Sequence, residues 1–334
     1  MRIKKKNIFN FQLICIDGFF GSGKTLIAPL LSSYRNVQNQ QISYEFDRYV
    51  ILNFLKKLDT FSSQQMIKFS TDESVFNYEI GRNLNLRKYD HTGIKYNPNF
   101  REDIKKIFYN YEKKKLELLN NNSKITLNLM THKTFIHSNL IKSVFKKKKQ
   151  YLHIIMVRNP IFLFNHYYNF FKKIFKKKEK NFLVCIDYKK KDYPWFMKEI
   201  LKNNRKYNIS DMIVIILKYL FNKIKIIKNY MIIIPFEEFV VNPDFYLRKI
   251  ENKVVIKKNV TKLKRQMILN KLPRKYVNDG VKFVNYGYSS RLNNTASYEK
   301  EKRKIFKLLS KSTKLEFLEL IKIYNKKYSD KFAR

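Results

Sequence analysis

The chain has 334 residues, 44% of them hydrophobic, enough for one large α/β core or two modest ones, and this excludes an intrinsically disordered protein. Its 70 Lys and Arg against 27 Asp and Glu leave a net charge of +43, a balance that ordinarily points to nucleic acid, an anionic membrane or a polyanionic substrate. The lysines run the whole length of a chain also rich in Asn, Ile, Phe and Tyr, as a codon bias towards A and T produces, so basicity alone selects none of these partners.

The first 20 residues imitate a secretion signal, basic and then apolar, but the run breaks at Asp17 and leads into a glycine loop, so residues 12–16 read as a first strand. Residues 18–25, G-F-F-G-S-G-K-T, then follow the pattern G-x-x-x-x-G-K-[ST]. Gly18, Gly21 and Gly23 let backbone N–H groups turn inward around an oxyanion, with Ser22 between them. Lys24 adds a point charge, and Thr25 opens a helix whose positive end faces that anion. A strand before the loop and a helix over 26–33 supply the context that the motif requires.

Residues 42–46 alternate as a second strand, and 47–120 read as mostly helical, most clearly over 99–119, where Pro98 suits a helix start. A strand over 124–130 and a helix over 137–145 lead to 151–157, a run apolar but for His153 and typical of a central parallel strand. A helix over 165–175, a strand over 182–186, an irregular insertion over 188–208, a buried helix over 209–229, a short strand over 231–234 and a helix over 244–251 follow. After a loop over 271–294 come two amphipathic helices, 296–309 and 315–328. Strands separated by helices predict an α/β protein with a doubly wound, mostly parallel sheet flanked by helices, one domain over 1–334 with helical insertions at 50–120 and 176–230.

Cys15 and Cys185 fall in strand-like runs without C-x-x-C or metal-type spacing, so both are expected as buried free thiols in a reducing compartment, and the protein as cytoplasmic. The most apolar later stretch, 212–235, carries Lys218, Lys223, Lys225 and Lys228, which argues against a membrane span. Peripheral contact with an anionic membrane stays compatible with the charge.

A phosphate loop by itself does not choose between kinase, NTPase and transferase. Arg158-Asn159-Pro160 closes the central strand and precedes a helix carrying Asn165, His166, Tyr167 and Tyr168. Ligands of a doubly wound sheet lie outside the carboxyl ends of its strands, so a guanidinium there suits a second phosphate. Next come Thr131-His132 and Lys133-Thr134 at the end of the 124–130 strand, and P-F-E-E-F-V-V-N-P over 235–243. Histidine is the residue type suited to a general base, and His132 stands at a strand end.

Together these stretches resemble the sulfotransferases, the branch of the phosphate-loop superfamily that moves a sulfuryl group from 3′-phosphoadenosine 5′-phosphosulfate (PAPS). Residues 22–25 match the family's S-G-T-T-type loop, 158–160 its R-[DN]-P element, 166–168 its S-Y-Y-like helix and 235–243 its Y-E-D-L-v-x-D-P element. Thr131-His132 resembles the T-H of members with a histidine base; an alternative alignment matches Lys133-Thr134 to the K-T-P of bacterial members and leaves His132 without a family role. Two departures stand out: His166 replaces the serine usual for the 3′-phosphate, and Lys24 stands where a threonine is usual while Gly21 replaces the basic residue before S-G.

The resemblance implies a sulfotransferase that binds PAPS through Gly21, Ser22, Gly23, Lys24 and Thr25, with Arg158 and His166 or Asn165 at the 3′-phosphate. His132 would deprotonate a hydroxyl acceptor, a carbohydrate or glycolipid by family analogy, Lys24 would offset charge on the leaving phosphate, Glu45 is the substitute base, and no metal is required. An ATP- or GTP-dependent kinase or NTPase is the alternative, since the loop is a full Walker A sequence and the strand over 182–186 runs into Asp187, a candidate Mg²⁺ ligand. A nucleic-acid-binding module lacks any recognisable helix-turn-helix, zinc or aromatic-platform motif.

Overall fold

The computed structural model describes residues 4–5, 9–87, 92–108, 117, 119, 125–175, 183–202, 207–275 and 295–328. His91, Arg291 and most of the 109–124 stretch lie outside them. Seven strands are present among the described residues: β1 (Gln12–Gly18), β2 (Gln41–Ile42), β3 (Thr126–Met130), β4 (Tyr151–Val157), β5 (Cys185–Tyr188), β6 (Lys191–Pro194) and β7 (Met231–Pro235). Five form one sheet in the order β2-β3-β1-β4-β7, every pairing parallel.

Alternation along β1 explains why it can sit in the middle of this sheet. Leu13 and Cys15 pack with the helices Tyr44–Phe54, Thr60–Glu79 and Ser138–Val144, while Ile14 and Ile16 pack with the helix α1 (Lys24–Ser32) on the other face. Helices Phe236–Val241, Pro243–Glu251 and Val260–Leu269 join α1 on its face. Pro160–Phe175, Ile209–Lys223 and Lys311–Tyr328 cover the opposite one. The sheet is therefore doubly wound, as the strand and helix alternation predicts.

The register levels the carboxyl ends of the strands. Gly18 stands opposite Met156, Ile16 opposite Met130, and Val157 opposite Pro235. The glycine loop, residues 131–133, Arg158 and Phe236 consequently leave the sheet along one edge, where α/β proteins hold their ligands.

Several local expectations change. The strand expected over 42–46 stops at Ile42, because Ser43 caps a helix: its Oγ accepts from the Phe46 N–H at 3.2 Å, and Glu45 and Asp47 fall in the first helical turn. The strand expected over 182–186 is not part of the parallel sheet. Cys185–Tyr188 pairs antiparallel with Lys191–Pro194 in a separate hairpin, so Cys185 is exposed instead of buried. The 188–208 stretch holds β6 and a short helix, Lys198–Leu201, and the helix expected over 209–229 ends at Lys223.

The last two helices, Thr295–Leu308 and Lys311–Tyr328, brace the face they cover. Ser310 N–H donates to Asp211 at 3.0 Å, and Phe317 lies 5.8 Å from Phe164. Among the described residues no helix is long and apolar enough to cross a membrane.

Candidate anion site at the carboxyl edge of the sheet

The loop after β1 turns through three positive φ angles, 138° at Gly18, 74° at Gly21 and 92° at Gly23. Space as well as dihedral excludes a side chain there: a Cβ on Gly21 would come within 2.5 Å of the His166 ring, and one on Gly23 within 2.4 Å of Phe236. The loop is thus clamped between the helix after β4 and the residue after β7. Ser22 turns inward, its Oγ donating to the Phe19 carbonyl at 2.7 Å.

Helix α1 then starts at Lys24 with no side-chain cap and no acidic residue in its first turn. Phe19 N–H is taken by the Met156 carbonyl and Ser22 N–H by the Phe19 carbonyl, both at 3.3 Å, whereas the N–H groups of Gly21, Gly23 and Lys24 meet no acceptor among the described residues. Donors of this kind, at the positive end of a helix, make a cradle for an oxyanion.

Beneath the loop, Asp17 acts as a hub. Its carboxylate accepts from the N–H groups of Gly18 (2.6 Å), Lys133 (2.6 Å) and Phe135 (3.0 Å) and from Thr134 Oγ1 (2.8 Å), with His153 Nε2 at 3.3 Å. The sheet register puts Asp17, Cys15 and His153 on one face, so this buried contact follows from pairing β1 with β4. Burial alone would raise the Asp17 pKa; His153, Lys24 and the Gly18 N–H reverse that and hold it well below the usual carboxylate range.

Two lysines converge on the site. Lys24 is half-buried, and Lys133, in the left-handed region at φ 66°, is 1% exposed, with its ammonium over Phe20 and 4.7 Å from the Phe196 ring centroid. Desolvation lowers both pKa values, that of Lys133 strongly, with the charge of nearby Lys24 adding to the effect on Lys133, while Asp17 and Asp47 act the other way. Neither ammonium has a carboxylate within ion-pair distance among the described residues. A buried cation without a counter-ion is costly, and an anion in the adjoining loop would supply the missing partner.

On the far side of Lys133, His132 Nδ1 lies 2.8 Å from Asp47 Oδ2, and Tyr44 stacks on the imidazole at 5.7 Å with the planes 15° apart. Glu45, the substitute base of the sequence reading, is exposed and accepts from Tyr49 OH at 2.7 Å. The carboxylate that reaches His132 is Asp47, which the sequence reading missed. Its signal was Ser43, a capping residue that turns 44–47 into helix and brings the fourth of these residues inward.

Arg158 is buried and braces the loop from the other side. Its Nη1 donates to the Gly21 carbonyl at 3.0 Å, its Nε lies 3.8 Å from Glu237 Oε1, and its guanidinium is flanked by Phe236 (4.6 Å) and Phe162 (5.2 Å). Glu237 is itself fixed by Asn159 N–H at 3.1 Å and Tyr324 OH at 2.6 Å. Burial, helped by the Arg158 charge, lowers the His166 pKa to about 4, so the ring against Gly21 is neutral near pH 7. Asn165 turns away and donates to Glu301 at 2.7 Å. Asp187 is exposed on the separate hairpin, paired with Asp192, and is not at the carboxyl edge of the parallel sheet. A cavity between Ile209–Lys223 and Lys311–Tyr328, with Lys225, Tyr324 and Lys327 in its wall, shares no lining residue with the loop.

No protein-family model matches the chain, and no curated protein matches it in sequence. Among solved structures it is similar to the sulfotransferase domain from the Synechococcus PCC 7002 olefin synthase, with a TM-score of 0.40 and 13% identity over 97% of this chain and 98% of that one.

Proposed function

We propose that the chain is a sulfotransferase that moves a sulfuryl group from PAPS to a hydroxyl acceptor. The observation that carries this reading is the combination of the uncapped start of α1 with two desolvated lysines, Lys24 and Lys133, that have no carboxylate within ion-pair distance among the described residues, all beside the His132–Asp47 pair. The order of the resembling motifs along the chain supports the same donor.

The residues present suit a phosphosulfate: the N–H groups of Gly21, Gly23 and Lys24 would hold its oxygens, and Lys24 and Lys133 would balance its charge. The donor supplies the activated sulfuryl group. In the transfer, the acceptor O–S bond forms as the bridging S–O bond breaks, and that electron pair leaves on the 5′-phosphate, where the lysines offset the growing charge. His132 takes the acceptor's proton. Arg158 stiffens the loop through one of its five N–H donors, and the remaining Nη donors would serve a 3′-phosphate; His166 is neutral and so would offer a 3′-phosphate a hydrogen bond without a charge. The acceptor class proposed is a glycan or glycolipid hydroxyl, on the resemblance alone, and the reading calls for no metal.

Thermal unfolding tests it. 3′-Phosphoadenosine 5′-phosphate without Mg²⁺ is expected to raise Tm, and ATP or GTP with Mg²⁺ to raise it less. Stabilisation by Mg²⁺-nucleotide alone would return the kinase or NTPase reading. Arg158→Ala is expected to erase the preference for a 3′-phosphate over adenosine 5′-phosphosulfate, and an unchanged preference would move the second phosphate site elsewhere.

A further inference from the structure

We propose that Asp47 is a positioning residue for His132, fixing the imidazole with its proton on Nδ1 and leaving Nε2 bare to receive the acceptor's proton. The inference rests on the sulfotransferase reading for its chemistry, although the tautomer it assigns does not.

Asp47 sits in the first turn of helix Tyr44–Phe54, and the Ser43 cap aims that turn at the end of β3. One carboxylate oxygen lies 2.8 Å from His132 Nδ1. An ionised carboxylate only accepts, so the hydrogen in that contact belongs to Nδ1 and the lone pair to Nε2. Exposure fits this division, with the His132 side chain 30% exposed and that of Asp47 5%. Asp47 is too enclosed to touch an acceptor itself. Nε2 has no protein partner among the described residues, and the Tyr44 ring holds the plane of the imidazole.

The contrast with Asp17 shows why a merely structural role does not suffice. Asp17 has both oxygens engaged by loop donors, as a buried structural carboxylate should. Asp47 spends one oxygen on His132 and leaves the other, Oδ1, buried without a hydrogen-bond partner among the described residues. Burial raises the Asp47 pKa and the His132 contact opposes that rise, so a proton gained by His132 strengthens the hold on the ionised carboxylate, which in turn stabilises the imidazolium formed during proton transfer.

The test is ¹⁵N NMR of protein labelled at histidine, with His132 assigned from His132→Gln. Wild-type protein near neutral pH is expected to show the Nδ1–H tautomer at His132, and Asp47→Ala to convert it to mainly Nε2–H. The His153 signals, buried against Tyr151 and Asp17, report whether the variant keeps its fold. An Nε2–H tautomer in the wild type overturns the proposal without any variant, and so does an unchanged tautomer in a folded Asp47→Ala. Under single turnover at saturating PAPS, Asp47→Ala is expected to lose roughly 10²-fold or more in rate with donor affinity changed less than about threefold. A changed tautomer with an unchanged rate also refutes it. Failure of PAPS to bind at all would refute the donor reading, and the spectra would still decide the role of Asp47.

Discussion

Lys133 N–H donates to Asp17 Oδ1 at 2.6 Å, joining the end of β3 to the end of β1 under the glycine loop. One lysine residue therefore does two things: its backbone secures the loop, and its side chain brings a desolvated charge to the same place. The Asp17 carboxylate secures the turns on both sides, and its substitution should be felt in stability before it is felt in chemistry.

Asp17→Asn replaces a shared acceptor with a group that is half donor, leaving loop N–H groups unpaired. A loss of about 3 kcal/mol is expected near pH 7, read from urea unfolding. Because the folded pKa is lowered, the stability that ionised Asp17 adds is fully present above the unfolded carboxylate value of about 4 and is lost as pH falls from there towards the folded value. The gap between wild type and variant should narrow below about pH 4, and a constant gap would show that charge is not the cause.

Lys133→Met should stabilise the free protein by about 1–2 kcal/mol while weakening 3′-phosphoadenosine 5′-phosphate binding at least about tenfold. The folded pKa of Lys133 is lowered, so the unfolded chain binds more protons and the penalty shrinks as pH rises from the folded value towards about 10.4. The advantage of the variant should shrink over the same window. A variant less stable than wild type in the absence of anion would contradict the account of Lys133 as a buried cation with no carboxylate within ion-pair distance among the described residues.

Gly21→Ala combines a positive φ with a Cβ that meets the His166 ring. The strain alone costs about 1–2 kcal/mol. Adding His166→Ala should recover the part due to the clash and none of the part due to the dihedral, a split that a double-mutant cycle of unfolding measurements resolves.

Asp187→Asn is expected to change stability by less than about 0.5 kcal/mol and to leave anion binding intact, because Asp187 is exposed on a hairpin apart from the parallel sheet. Loss of nucleotide-dependent stabilisation in this variant would revive the kinase reading and its Mg²⁺ site.

Local pattern alone was enough for the strand, loop and helix around residues 12–33, for the central strand 151–157, and for the two closing helices, because backbone propensity and side-chain period are properties of neighbouring residues. The glycines, Lys24 and Arg158 were legible for the same reason. Contacts that join distant residues were not. Asp47 meets His132 across 85 positions, and Asp17 meets Lys133 across 116. Such pairs depend on which strands lie side by side and in what register, and periodicity carries no information about either. Cys185 makes the same point from the other direction: an apolar run looks alike whether it enters a buried sheet or forms the edge of a surface hairpin, and only the packing around it separates the two.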